Sequence, residues 1–249
     1  MNHRVIVDGT DPGPGAPRPG LAALCDPEAM DEQTMRSRKQ ELRRQLRSRR
    51  RDLHSGADGA ARRDSQARRL LEHAAPILAA IEQAAAAARR DGAAAPLVAA
   101  YHPTATEADV LPLVGRLASA GARLVFPAAA GEQLEWILWD GTSDFRDSPG
   151  RGFGKEPAGE RLGVRALEAA TLVLAPAVAV DRSGTRIGHG AGYYDRALST
   201  LPAGARVVAV IHPEELLAAG SLPRDEHDVP IPEVLTADGL VALVTSPGT

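Results

Sequence analysis

The chain has 249 residues, 44% of them hydrophobic and 24% charged, with 32 acids against 29 bases and a net charge of −3. That is the composition of a soluble globular protein long enough to bury one large core. A single cysteine, Cys25, excludes an internal disulfide framework or a cysteine-rich zinc site, and the longest apolar run, Ala169–Val180, is short for a membrane span and contains Pro176.

Residues 1–34 stand apart. Asp8–Gly20 places eight Gly or Pro in thirteen positions, too little apolar surface to offset its ordering entropy. We read 1–34 as a disordered extension and 35–249 as a single α/β domain. With no apolar segment of signal-peptide type at the N-terminus, the expected setting is cytoplasmic, without a membrane partner.

Arg36–Arg51 carries nine bases and one acid, Glu41, for a net +8, so the remainder of the chain carries −11. It holds helix formers and neither Gly nor Pro, and Leu42, Leu46 and Leu53 form a narrow helical stripe. A second helix is predicted within Ala60–Ala88, from Ala67, Leu70, Leu71, Ala74, Ile77, Leu78 and Ile81, with Pro76 as a break or kink. From Leu97 the pattern changes to short apolar runs: strands at Leu97–Tyr101, Arg123–Phe126, Leu134–Leu138, Leu172–Ala175, Val207–Ile211 and Leu240–Val244. Helices are predicted at Glu107–Ala120, Gly163–Ala169, Tyr193–Thr200 and Pro213–Ala219. This alternation predicts an open, largely parallel sheet with helices on both faces, whose ligand belongs at the carboxyl ends of the strands.

The stretch Leu172–Arg196, LVLAPAVAVDRSGTRIGHGAGYYDR, carries the chemistry. A buried strand runs into a loop with Gly184, Gly188, Gly190 and Gly192 and then into a helix. Alternating glycines let successive backbone N–H groups approach an anion, the following helix adds its positive end, and Arg186 adds a full charge. The same glycines also suit a tight strand-to-helix connection. The pattern is neither a P-loop nor a dinucleotide fingerprint.

RIGHGAGYYDR, preceded by LVLAPAVAVDRSG, resembles the signature of the 5-formyltetrahydrofolate cyclo-ligase (methenyltetrahydrofolate synthetase) family, which typically reads VPGxAFDxxGxRLGxGxGYYDR. The resemblance extends to Lys39-Gln40-Glu41-Leu42-Arg43, to Tyr101–Asp109, to Glu156-Pro157, and to Glu226-His227-Asp228 followed by Glu233-Val234-Leu235-Thr236. It covers about four-fifths of the chain, in the family's order. It implies a fold related to the sugar-phosphate isomerase and CoA-transferase group, and ATP- and magnesium-dependent conversion of 5-formyltetrahydrofolate to 5,10-methenyltetrahydrofolate. A monomer is expected, and no nucleic-acid partner, because the rest of the chain is acidic and no aromatic platform adjoins Arg36–Arg51.

By the same resemblance, Lys39, Arg43, Arg186, Gly188, His189, Gly190, Ala191, Gly192, Tyr193 and Tyr194 hold ATP. His102, Glu107, His189 and Tyr193 contact the folate, and Asp195 and Asp228 bind magnesium. Glu107 also suits a capping-box role after Thr104 or Thr106. Trp136 and Trp139 fit either the folate side or the core. Two positions depart from the family: Val180 replaces its Phe, and Pro232 stands where an acid commonly follows the last block. They motivate an alternative, a catalytically degenerate folate- or nucleotide-binding paralogue.

Overall fold

Period-two alternation along the short apolar runs decides the layers. In β1 (Leu97–Ala99), Val98 packs with Leu172 and Leu174 on one side, whereas Leu97 and Ala99 pack with Val173 and Ala175 on the other. Both sides are buried, as a central parallel strand requires. The structure, a computed structural model, describes residues 32–149 and 154–244. The expected extension lies outside the described residues except for 32–34, which already belong to helix α1 (Glu32–His54). Cys25 also lies outside them.

The main sheet has seven strands: β1, β2 (Arg123–Ala130), β3 (Gln133–Trp139), β6 (Ala170–Pro176), β9 (Arg206–Val210), β11 (Glu233–Thr236) and β12 (Gly239–Ala242), in the order β12-β11-β9-β6-β1-β2-β3. The five inner strands run parallel, and both edge strands are antiparallel to their neighbours. Two smaller sheets complete the architecture. One pairs β4 (Phe145–Asp147) with β5 (Lys155–Pro157). The other joins β7 (Ala179–Asp181), β8 (Arg186–Ile187) and β10 (Leu216–Leu217).

Helices α2 (Gly56–His73), α3 (Ala75–Asp91) and α4 (Leu111–Ser119) cover one face through Leu70, Ile77, Ile81, Leu113 and Leu117. The other face carries α5 (Tyr193–Leu198) and a 3₁₀ turn at Ala166–Ala169. The single helix predicted around Pro76 is therefore two helices. Proline cannot continue the hydrogen-bond ladder but fits a helix's first turn, and α3 begins there.

Three further expectations shift. Helix α4 starts at Leu111 rather than Glu107, because the Glu107 carboxylate turns back to accept the Thr104 N–H at 2.8 Å and Asp109 accepts the Leu111 N–H at 3.0 Å. The segment after β9 forms only a 3₁₀ turn, Pro213–Glu215, since Leu216 and Leu217 pair with Val180 and Asp181 in the small sheet. Strand β11, unpredicted between Pro230 and Asp238, lies between β9 and β12.

Helix α1 does not pack on the main sheet. Leu42 and Leu46 sit against Val178, Ile187, Leu217 and Leu222 of the small sheet and its flank. Its C-terminus is fixed by Arg50, which is buried, and by His54, whose ring stacks on His212 with centroids 3.5 Å apart and planes 8° from parallel. His54 Nε2 meets Glu214 Oε1 at 2.6 Å, and His212 Nδ1 and Nε2 meet Gln66 Oε1 at 2.6 Å and the Thr106 carbonyl at 3.0 Å. One imidazole stack thus joins α1, α2, the turn after β1 and the end of β9.

Burial, with the neighbouring His54, lowers the His212 pKa from 6.5 to about 4, against the hydrogen bond to Thr106. Between those values the unfolded chain binds more protons, so stability is complete above pH 6.5 and is lost as the pH falls toward 4. The loss across that window is about 3 kcal/mol. Urea unfolding measured from pH 7 to pH 4 should show this slope. His212→Asn should flatten it, and an unchanged slope in the variant would assign it to other groups.

Candidate active site

The strand order reverses direction between β1 and β6, since the chain runs from β1 outward to β2 and later from β6 outward to β9. The loops leaving the carboxyl ends of these two strands diverge there and open a crevice. One loop carries Glu107, and the other is the glycine-rich segment.

Asp181 shapes the base of the glycine-rich loop. Its carboxylate is fully buried and accepts the Ser183 N–H at 3.0 Å, the Ser183 hydroxyl at 2.6 Å, the Thr185 N–H at 3.1 Å and the Leu222 N–H at 3.1 Å. Beyond β8 the loop passes under α1. Gly190 has φ +108°, and a Cβ there would lie 3.4 Å from the Arg43 guanidinium carbon; a Cβ on Gly188 would lie 2.6 Å from an Arg186 nitrogen. The positive φ favours glycine at 190, and the arginine packed against the backbone favours it at 188.

Helix α1 supplies the other wall. Arg43 Nε donates to the Gly188 carbonyl at 3.0 Å. Arg47, one turn later, donates to the His189 carbonyl at 3.1 Å and meets His189 Nδ1 at 2.9 Å. Lys39 is buried and donates to Asp225 at 2.7 Å and to Asp228. Between helix and loop lies an open cleft of about 810 Å³ with Arg36, Arg43, Arg47, Arg51, His189 and Gly190 among its lining residues. Its positive charge comes from α1. Helix α5, with six residues, is too short to supply the macrodipole expected at the loop's end.

Glu107 stands at the inner end. It is 5% exposed, its Oε2 accepts the Thr104 N–H, and its Oε1 lies 3.0 Å from His189 Nε2 and 3.5 Å from Arg50. Burial works against its charge, but the hydrogen bonds from His189 and Thr104, with Arg50, hold its carboxyl below the ordinary value. Glu107 therefore closes a turn with Thr104 and remains an anion facing the loop. Arg50 donates to Glu215 at 2.5 and 2.9 Å and to the carbonyls of Ala177 and Val178 at 2.7 and 3.2 Å. Burial opposes its charge as well, yet Glu215, then Glu107, keep its pKa raised.

The structure brings together Lys39, Arg43, Gly188, His189, Gly190, Glu107 and Asp228. Arg186 and Asp195 join them as a two-oxygen ion pair, both at 2.9 Å, and the charges of Asp228, Arg186 and Asp195 all act on Arg43. Other expected contacts point elsewhere. His102 bonds the Pro103 carbonyl and packs on Phe145. The Tyr193 hydroxyl donates to the Gly131 carbonyl of the β2–β3 hairpin at 2.8 Å, and the Ala191 carbonyl accepts from Arg196 of α5 at 2.9 Å. Gly192 opens α5. Tyr194 lies edge-on to Trp136, and burial raises its pKa. Trp136 is core, whereas Trp139 is partly buried against Phe126 and Phe145.

Sequence reading missed Arg47, Arg50, Glu215 and Asp181. Arg47 and Arg50 extend the spacing 39, 43 along one helix face, a signal already present in the pattern. Glu215 had none, because its segment reads as helix.

Residues 35–237 match the model of the 5-formyltetrahydrofolate cyclo-ligase family. The chain is 38% identical over 155 residues to the 5-formyltetrahydrofolate cyclo-ligase of Mycolicibacterium smegmatis, a match covering 59% of this chain and 76% of that one. In fold it is similar to the 5,10-methenyltetrahydrofolate synthetase of Aquifex aeolicus, with a TM-score of 0.61 at 22% identity over 85% of this chain and 95% of the other. It is also similar to that of Mycoplasma pneumoniae, with a TM-score of 0.59 at 16% identity over 80% and 98%. The fold agrees with those two structures, and the sequence match spans the basic helix, the Glu107 turn, the glycine-rich loop and the Asp228 turn alike: the chain belongs to the 5-formyltetrahydrofolate cyclo-ligase family.

Proposed function

We propose that the protein converts 5-formyltetrahydrofolate to 5,10-methenyltetrahydrofolate with ATP, releasing ADP and phosphate. The formyl oxygen is a poor leaving group. Its lone pair attacks the γ-phosphorus of ATP, the bond to ADP breaks, and the oxygen then carries a phosphoryl group. The adjacent folate amine attacks the activated carbon and gives up its proton. The carbon–oxygen bond breaks, and phosphate departs as the ring closes. Positioning and charge neutralisation are the main tasks in such a transfer.

The observation that carries this reading is the closure of a basic helix over the glycine-rich loop, with an ionised carboxylate at the crevice's inner end. Lys39 and Arg43 take the phosphates together with the backbone around Gly188–Gly190. Glu107, acceptor-only when ionised, takes hydrogen-bond donors of the folate ring. Val180 is buried in the core, and the Pro232 carbonyl accepts the Leu243 N–H. Neither is a hydrogen-bond partner of the residues just named, which favours an active enzyme over the degenerate paralogue.

The carboxylates of Asp195 and Asp228 fit a magnesium ion. Both are hard oxygen donors, their side chains are 23% and 16% exposed, and both act on Arg43. Magnesium commonly takes one or two protein carboxylates and completes its shell with water and phosphate oxygens. When bound, magnesium neutralises phosphate charge.

Purified protein should generate methenyltetrahydrofolate absorbance only when 5-formyltetrahydrofolate, ATP and magnesium are all present. Folded protein yielding no product would refute the proposal. Asp228→Asn should raise the magnesium requirement by roughly tenfold or more with little change in the unfolding midpoint, because Lys39 keeps Asp225. Asp195→Asn should raise it similarly and also lower the midpoint, because buried Arg186 loses its charged partner. Magnesium titration and thermal unfolding of the two variants separate the effects.

A further inference from the structure

The buried and half-buried cations around the crevice fall into two groups. Lys39, Arg50 and Arg186 each hold a protein carboxylate. Arg43 and Arg47 hold none within 4.0 Å among the described residues; their hydrogen bonds go to the carbonyls of Gly188 and His189 and to the His189 ring. Both have lowered pKa values, from burial first and then from a neighbouring arginine, Arg47 beside Arg43 and Arg50 beside Arg47. Arg47 Nε is also buried without a hydrogen-bond partner. Two adjacent, partly buried guanidinium groups facing one cleft, short of negative charge and of acceptors, form a receptor for a multiply charged anion.

Arg47 does a second thing. A guanidinium only donates hydrogen bonds, so its contact with His189 Nδ1 requires that nitrogen to accept. The imidazole proton then resides on Nε2, which donates to Glu107. One side chain thereby touches the anion cleft and, through a single ring, orients the carboxylate at the crevice's far end.

We propose that Arg47 is a second phosphate-binding arginine beside Arg43, and that the same side chain sets the His189 tautomer that positions Glu107. This rests on the nucleotide reading above, and the test keeps the two apart. Arg44 lies on the same helix and lines the same cleft, but it is exposed and bonded to Glu41 at 2.9 Å, so Arg44→Gln is a matched loss of charge.

Calorimetry with inorganic triphosphate as the probe, without folate, reads the receptor directly, and ATP-dependent turnover reads it in the reaction. Arg47→Gln should weaken triphosphate binding and raise the KM for ATP by about tenfold each. Arg44→Gln should change both by less than about twofold. Arg47→Lys keeps a point charge without the fork and should recover only part of the triphosphate affinity. If the second role holds, Arg47→Lys also leaves the KM for 5-formyltetrahydrofolate raised, because one ammonium cannot serve phosphate and His189 together. Equal losses in the Arg44 and Arg47 variants, or none in Arg47→Gln with circular dichroism unchanged, would overturn the inference. Wild-type protein that binds triphosphate through Arg47 but shows no ATP-dependent turnover would instead overturn the functional proposal and leave this one standing.

Discussion

The buried face of α1 is cationic, and the arrangement of the site depends on how that charge is balanced. Positions 39, 42, 43, 46, 47 and 50 follow the spacing of a core-facing helix stripe, but four of the six are Lys39, Arg43, Arg47 and Arg50. Two leucines seat the helix on the small sheet. The bases reach carboxylates and carbonyls far away in the chain: Asp225 and Asp228 for Lys39, Glu215 and Glu107 for Arg50, Gly188 for Arg43. A helix that turns four of its nine lysines and arginines inward docks in one register, because sliding it by a turn would strand buried cations.

Those partners come from three loops at the carboxyl edge of the parallel sheet. Arg50 binds the carbonyls that follow β6, the turn that follows β9 and the carboxylate of the loop after β1. The helix therefore ties together the loops that the switch in strand order separates. Binding energy and catalytic geometry are linked through one side chain: a change at Arg50 would move Glu107 and the glycine-rich loop together, although Arg50 itself is buried beneath both.

How much of this was legible in the sequence follows from which interactions are local. The parallel sheet, its six apolar strands and the helices around it are written in alternation that each segment shows by itself. The glycine-rich loop stands out by its own pattern, and Lys39 and Arg43 are singled out through resemblance. What escaped depends on distant pairing. Glu215 reads as the middle of a helix until Leu216 and Leu217 join β7. The position of α4 depends on a carboxylate choosing Thr104 over the helix start. His102 packs on Phe145 and the Tyr193 hydroxyl reaches the β2–β3 hairpin, contacts that nothing in their own segments foretells.

The glycines and the arginines are two halves of one device. A glycine loop in isolation reads as an anion cradle or as a turn, and a basic helix in isolation reads as a solvated face. In the structure the two pack against each other, Arg43 donating to the Gly188 carbonyl and Arg47 to that of His189. Gly188 and Gly190 lack side chains where Arg186 and Arg43 approach to 2.6 and 3.4 Å of a would-be Cβ. A methyl group on Gly188 would displace the Arg186 guanidinium, whereas at Gly190 it would meet Arg43 in ordinary contact and the positive φ is what favours glycine. Gly188 thus makes room first for the protein's own cation and Gly190 supplies the backbone turn beneath Arg43, so that loop backbone and guanidinium groups meet at one cleft.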